Sequence, residues 1–200
     1  AAEVCDLERE AIAWFQRLWD GEGEDVWGSV GASGTEGNLW AIYLGREALA
    51  GAVLLHSDDA HYSIPKAGRI LAMETRPVRS SADGSIVLDD LAAVLATLGG
   101  RPAVLALTCG TTMKGAHDDI AGALQTLDAM GYGPGRRYVH VDGALNAMVV
   151  PFVDAAPVAI RPSFRMPIDS ISASGHKMVG TPMPCGVLLA RRPHVDRVAS

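Results

Sequence analysis

Long apolar runs are missing from this chain. No stretch of its 200 residues approaches the roughly 20 apolar residues that a membrane-spanning helix needs, so no membrane partner is expected. Cysteine is scarce: Cys5, Cys109 and Cys185 are far apart, odd in number and outside any C-x-x-C pattern. That spacing excludes a disulfide framework and a thiolate metal site, and leaves buried free thiols as the reading. Lys/Arg runs are absent too, and the formal net charge of -6 is spread over interspersed acids and bases. A nucleic-acid partner is therefore not expected, and the balance fits a soluble cytoplasmic protein. The first ten residues carry acids but no basic-then-apolar leader pattern. With no initiator Met, they read as a fragment or a processed start. There is no internal repeat, no low-complexity segment and no sign of a second domain.

What is present is 48% hydrophobic content, enough for one sizeable core. Leu7, Ala11, Trp14, Phe15, Leu18 and Trp19 fall at helical spacing, which predicts an amphipathic helix over 7–19. A short polar, Gly-rich passage follows from Gly28 to Gly34, then a helix over about 35–48. From there the chain alternates. Apolar runs of strand length at 52–56, 102–108 and 137–141, with a shorter strand at 74–79, are separated by helices over 61–71, 88–98 and 118–130. The last of these helices has Asp118 or Asp119 at its start, where an acid favours the helix dipole. Pro151, Pro157, Pro162 and Pro167 make 151–167 an excursion, and 168–173 and 186–190 read as further strands. Strand–helix alternation with near-continuous apolar strands predicts an α/β fold, a mainly parallel sheet with helices on both faces. Such sheets bind ligands beyond the carboxyl ends of their strands.

Four groups fall at such places. Lys177, in Ser174-Gly175-His176-Lys177, follows a strand and can form a Schiff base with a carbonyl, helped by burial and a cationic neighbour; the plain alternative is a solvated loop lysine. Asp142 ends the strand 137–141, where a buried carboxylate can pair with a protonated pyridine nitrogen; it can equally be a helix N-cap or a loop acid. His61, after the strand 52–56, can stack on an aromatic cofactor, or be a core or helix-start histidine. Gly31-Ala32-Ser33-Gly34-Thr35-Glu36 opens a helix whose amides, with the hydroxyls of Ser33 and Thr35, suit a phosphate, although it is neither a Walker nor a Rossmann pattern.

These stretches carry a resemblance. Trp27-Gly28 with Gly34-Thr35-Glu36-Gly37-Asn38, His61-Tyr62-Ser63, Gly110-Thr111-Thr112 with Gly115-Ala116, His140-Val141-Asp142-Gly143-Ala144 and Ser172-Ala173-Ser174-Gly175-His176-Lys177 followed by Gly180-Thr181-Pro182-Met183-Pro184-Cys185-Gly186 stand in one order. In that order the chain resembles the group II pyridoxal-5′-phosphate (PLP) dependent amino-acid decarboxylases, most of all histidine and serine decarboxylases. The resemblance runs from about Leu7 to Arg192. It implies the large domain of the aspartate-aminotransferase-like fold (fold type I), PLP as cofactor, a homodimer, and an amino acid, histidine first and then serine, as substrate. It also implies that the C-terminal small domain and part of the N-terminus of such enzymes lie outside these residues. By the resemblance Lys177 attaches the cofactor, Asp142 binds its ring nitrogen, His61 stacks on the ring near the substrate, and Ala144 packs on the other face. Ser174 and His176, with Ser33, Gly34 and Thr35, reach the phosphate, and Thr112 lies near the ring substituents.

Two positions depart from the family pattern. Ala32 and Ser33 stand where a Ser-Gly pair is usual, and a serine at Ser33 would be strained if that position required positive φ. His117 stands where an apolar residue is common. Rival readings are a cysteine-desulfurase-like or aminotransferase-like enzyme, and a non-catalytic homologue of the PLP fold. Leu145 argues against the desulfurase, which usually has Gln three residues after the Asp.

Overall fold

The computed structural model describes residues 2–199; Ala1 and Ser200 lie outside the described residues. The first helix, α1 (Ala2–Leu18), starts five residues before the periodicity predicts. Its inner side is not the whole expected stripe: Leu7 and Trp14 are exposed, while Phe15 and the adjoining Trp19 are buried. Trp19 sits against Phe15 and donates its indole N–H to the Ala147 carbonyl at 2.9 Å.

The Gly-rich passage is corrected next. It contains a strand, β1 (Val26–Gly31), before the chain turns into α2 (Gly34–Ala48). Gly28 is there for packing: a Cβ would come within 2.6 Å of Ile12 and 2.5 Å of Leu189. A glycine kept for close approach reads in sequence like a turn glycine, which is why the strand was hidden.

The alternation then unfolds as predicted, through β2 (Val53–Ser57), α3 (Ser63–Ile70), β3 (Thr75–Val78), α4 (Leu88–Ala96), β4 (Ala103–Thr108), α5 (Ile120–Ala129) and β5 (Arg137–Asp142). The proline-rich excursion contains only two single 3₁₀ turns, Val150–Phe152 and Val158–Ile160. It returns to β6 (Ser170–Ser174) and β7 (Gly186–Arg191), and the periodicity gave no hint of α6 (Arg192–Ala199).

The seven strands form one sheet in the order β1-β7-β6-β5-β4-β2-β3. Strands β3, β2, β4, β5 and β6 run parallel, and β7 is antiparallel to both β6 and β1. Alternate strand residues enter two separate cores, as a period of two requires. Val53, Leu55, Leu105, Leu107, Val139 and Val141 pack with α1, α4 and α5. Leu54, Val104, Ala106 and Tyr138 pack with α2 and α3, against which Val195 and Val198 of α6 also lie. Both faces of the parallel strands are thus covered, as such strands demand. Among the described residues no helix is long and apolar enough to cross a membrane.

Candidate functional site

Because β2, β4, β5 and β6 are parallel, Ser57, Thr108, Asp142 and Ser174 all lie at one edge of the sheet. His61, the Gly110–Thr112 turn, Ala144 and Lys177 follow directly on these ends. The start of α2 reaches the same edge. The Gly34 amide donates to Ser174 Oγ at 3.2 Å, and a Cβ on Gly34 would lie 2.5 Å from that oxygen and 3.0 Å from the Ala144 methyl. Gly34, Ser174 and Ala144 therefore meet, and only a glycine lets them.

Ser33 is the N-cap of α2, accepting from the Glu36 amide at 3.3 Å, while the Glu36 carboxylate accepts from the Ala32 amide. The exchange resembles a capping box. The expected strain at Ser33 is absent: its φ of -174° is extended backbone open to any residue. Thr35, half-buried in the first turn of α2, faces a cavity of about 260 Å³ shared with Ser33 and Ser63.

Asp142 is buried, with 3% of its surface exposed. Its Oδ2 accepts from Asn38 Nδ2 at 2.8 Å and its Oδ1 from the Ala144 amide at 3.1 Å. The carboxylate caps the turn that follows, as the plainer alternative has it, and is buried at the sheet edge. His61 is half-buried, with Nδ1 2.8 Å from Ser63 Oγ. Burial, first of all, lowers its pKa; the charge of Asp142 opposes this and that of Lys177 adds to it. His61 therefore lies within electrostatic reach of both Asp142 and Lys177.

The expectation of a buried Lys177 is corrected. Lys177 is exposed, on the turn that leaves β6, beyond the sheet edge and outside the cover of the helices. His176 is half-buried and its Nδ1 lies 3.1 Å from the Cys185 carbonyl, which leaves Nε2 as the nitrogen available to a ligand. Thr112 is exposed, whereas its neighbour Thr111 is buried and accepts from the Ala116 amide at 3.0 Å, holding the turn. His117, unexplained in the sequence, accepts from Asn146 Nδ2 at 3.1 Å; Asn146 in turn packs on Gly110, whose φ is +98° and which has no room for a Cβ. The cysteines also differ from expectation: Cys109 is buried, Cys185 is half-buried and Cys5 is exposed, all as free thiols. Among the described residues no cluster of three His, Cys, Asp or Glu side chains could hold a metal ion.

Spacing alone assigned no role to Asn38, Ser63, His140 or Ser172, yet these buried polar groups line the inner wall of the site. A signal was there: Asn38 stands one turn before Ile42 on the buried side of α2, and a polar residue in such a place needs partners. His140 is fully buried and its pKa is pushed down to about 4, chiefly by burial. The folded protein therefore binds this proton more weakly than the unfolded chain. Its contribution is fully present above about 6.5 and is lost as the pH falls toward 4, a term of roughly 3 kcal/mol. Asp118, pushed up to about 6 by burial, works in the opposite direction over the lower part of that window. The expected result is a fall in urea midpoint on acidification that is flatter in His140→Gln than in the wild type, compared at each pH.

Comparison with known proteins agrees with this geometry. The pyridoxal-dependent decarboxylase conserved domain matches residues 45–196. The chain is 40% identical to a histidine decarboxylase of Solanum lycopersicum over 195 residues, which is 97% of this chain and 46% of that protein. It is 42% identical to serine decarboxylase 1 of Oryza sativa subsp. japonica over 194 residues, 97% of this chain and 39% of that protein. The crystal structure of L-methionine decarboxylase from Streptomyces sp.590 superposes with a TM-score of 0.80 at 25% identity, over 94% of this chain and 56% of that one. The chain thus spans about half the length of the curated relatives it matches.

Proposed function

Since this chain belongs to the pyridoxal-dependent decarboxylase family, whose cofactor is pyridoxal phosphate, we propose that the whole protein releases the α-carboxylate of an amino acid as carbon dioxide, with histidine as the first substrate and serine as the second. The observation that carries this reading is the convergence of Lys177, Asp142 and His61 at the sheet edge that also receives the start of α2. The 200 residues are read as the large, cofactor-holding domain of such an enzyme.

The residues fit the cofactor. Gly34 leaves a space beside Ser174 and Ala144 that any side chain would fill, at a helix start whose amides suit a phosphate. Asp142 is a buried carboxylate whose two oxygens each take one N–H, from Asn38 Nδ2 and from the Ala144 amide, so lone pairs remain for a protonated ring nitrogen. When bound, pyridoxal phosphate supplies an electron sink for the pair left at Cα as the carboxylate departs.

In this reading Asp142 keeps a negative charge against the ring nitrogen and so keeps that nitrogen protonated. Lys177 would supply the amine that holds the cofactor until the substrate's own amine takes its place. Ser33, Gly34, Thr35, Ser174 and His176 bind the phosphate, and Ala144 and Thr112 confine the ring. His61, with Nδ1 tied to Ser63, offers Nε2 to the substrate and its ring face to the cofactor.

A homodimer in the cytoplasm belongs to the same proposal. Exposed apolar side chains near the site, Tyr62, Met113, Met178 and Met183, suit a covering partner copy. The free thiols suit a reducing compartment. One observation favours the second reading, a PLP fold without turnover: Lys177 is exposed rather than enclosed.

The test is to supply the whole protein with pyridoxal phosphate and single amino acids and to measure carbon dioxide and amine together. Equal release of both from histidine, or failing that from serine, supports the reading. Cofactor binding without carbon dioxide from any amino acid would shift it to the non-catalytic one.

A further inference from the structure

Asn38 is 1% exposed and its side-chain amide is saturated. Nδ2 donates to Asp142 Oδ2 at 2.8 Å and to Ser63 Oγ at 2.9 Å, and Oδ1 accepts from Ser172 Oγ at 2.6 Å and from His140 Nε2 at 3.0 Å. Two donors and two acceptor positions are all that an amide has. Its orientation is fixed by chemistry: turned over, it would set an oxygen against the Asp142 carboxylate. The outer partners are fixed in turn. With Nε2–H pointing at Asn38, neutral His140 accepts at Nδ1 from Ser170 Oγ, 2.9 Å away. Ser63, having accepted from Asn38, gives its own proton to His61 Nδ1, which also accepts from the Ser63 amide at 3.3 Å. His61 therefore carries its proton on Nε2.

We propose that Asn38 is a positioning residue that sets both the Asp142 carboxylate and, through Ser63, the tautomer of His61, so that one buried amide aligns the two side chains placed on opposite duties in the site. With all four positions taken by protein groups, the amide has no hydrogen bond left to give a cofactor or substrate. It couples α2 to the ends of β5 and β6 and to the start of α3, whose residues are otherwise far apart in sequence. It also disfavours a charged His61, because a proton on Nδ1 would turn away the Ser63 hydroxyl and leave the Ser63 amide without its acceptor. Asp142 and Lys177 are the charged groups acting on His61, and their opposing influences leave the tautomer to the hydrogen bonds.

The inference rests on the proposed cofactor site in only one of its two tests. The first needs no cofactor. Nitrogen NMR of the His61 ring in the cofactor-free whole protein should show the Nε2–H form alone in the wild type and a mixture of tautomers in Ser63→Ala and Asn38→Ala. A single unchanged tautomer in both variants would overturn the coupling to His61. Ser63→Ala reads only the Ser63–His61 link; Asn38→Asp, which keeps the shape of the side chain and turns an oxygen toward the Ser63 hydroxyl, should draw that hydroxyl from His61 and free its tautomer, and an unchanged tautomer there overturns the coupling even if Asn38→Ala does not fold. The second test is cofactor affinity by titration of the visible band. Asn38→Ala should weaken it about tenfold, the scale seen when outer-shell partners of a site are lost, and the isosteric Asn38→Asp by more, because it turns an oxygen toward Asp142. Wild-type affinity in Asn38→Asp would overturn the coupling to Asp142. A wild-type protein that takes up no cofactor would instead sink the functional reading and leave the tautomer result standing.

Discussion

Lys177→Ala is expected to abolish carbon dioxide release, by about 10³-fold or more, the scale on which an enzyme loses the one group that bonds to its reacting partner. The sequence holds three lysines, so the prediction is unusually specific. Lys114 is paired with Asp59 at 3.0 Å, and Lys66 lies over the Tyr62 ring at 5.8 Å on α3. Lys177 alone follows the end of β6 and acts electrostatically on His61 beside Asp142. The variant should also lose the visible band that borohydride abolishes in the wild type. Its stability should barely change, because an exposed side chain buries little surface. Activity and urea midpoint measured side by side check both halves. A variant with wild-type turnover would remove Lys177 from the reaction.

Asp142→Asn carries the second large effect. It keeps the shape of the side chain but removes its charge, and one end of the new amide faces the Ala144 N–H or the Asn38 Nδ2, each of which is a donor. One hydrogen bond is therefore lost in the interior, at about 1–3 kcal/mol of stability. Turnover should fall further than stability alone accounts for, by about 10²–10³-fold, as when a site loses one preorganised electrostatic partner of the developing charge. Cofactor should still attach through Lys177, so the visible band should persist while kcat drops. A rise in KM alone, with kcat intact, would assign Asp142 to binding or packing and not to the ring nitrogen.

The parallel part of the fold was legible because strands covered on both faces must be apolar throughout, and Val53–Ser57, Ala103–Thr108 and Arg137–Asp142 are buried from end to end. Strand β1 was not, since its Gly28 serves close contacts with Ile12 and Leu189 that only the folded chain brings together. The same holds for the site. Asp142 and Ser174 could be placed from the rule that ligands gather at strand ends, and Gly34 from the start of a helix. The amide that holds Asp142 comes from a residue 104 positions earlier, and the Gly34–Ser174 contact spans 140. No local pattern encodes such a pairing. Exposure was the other gap: a lysine after a strand reads the same whether it is enclosed or, like Lys177, open.

The most direct measurement is to reduce the cofactor-loaded whole protein with borohydride, digest it, and map the added mass by peptide sequencing. The mass is expected on Lys177 alone, with the visible band gone. Mass on Lys66 or Lys114, or a folded, cofactor-saturated protein that borohydride leaves unlabelled, would contradict it.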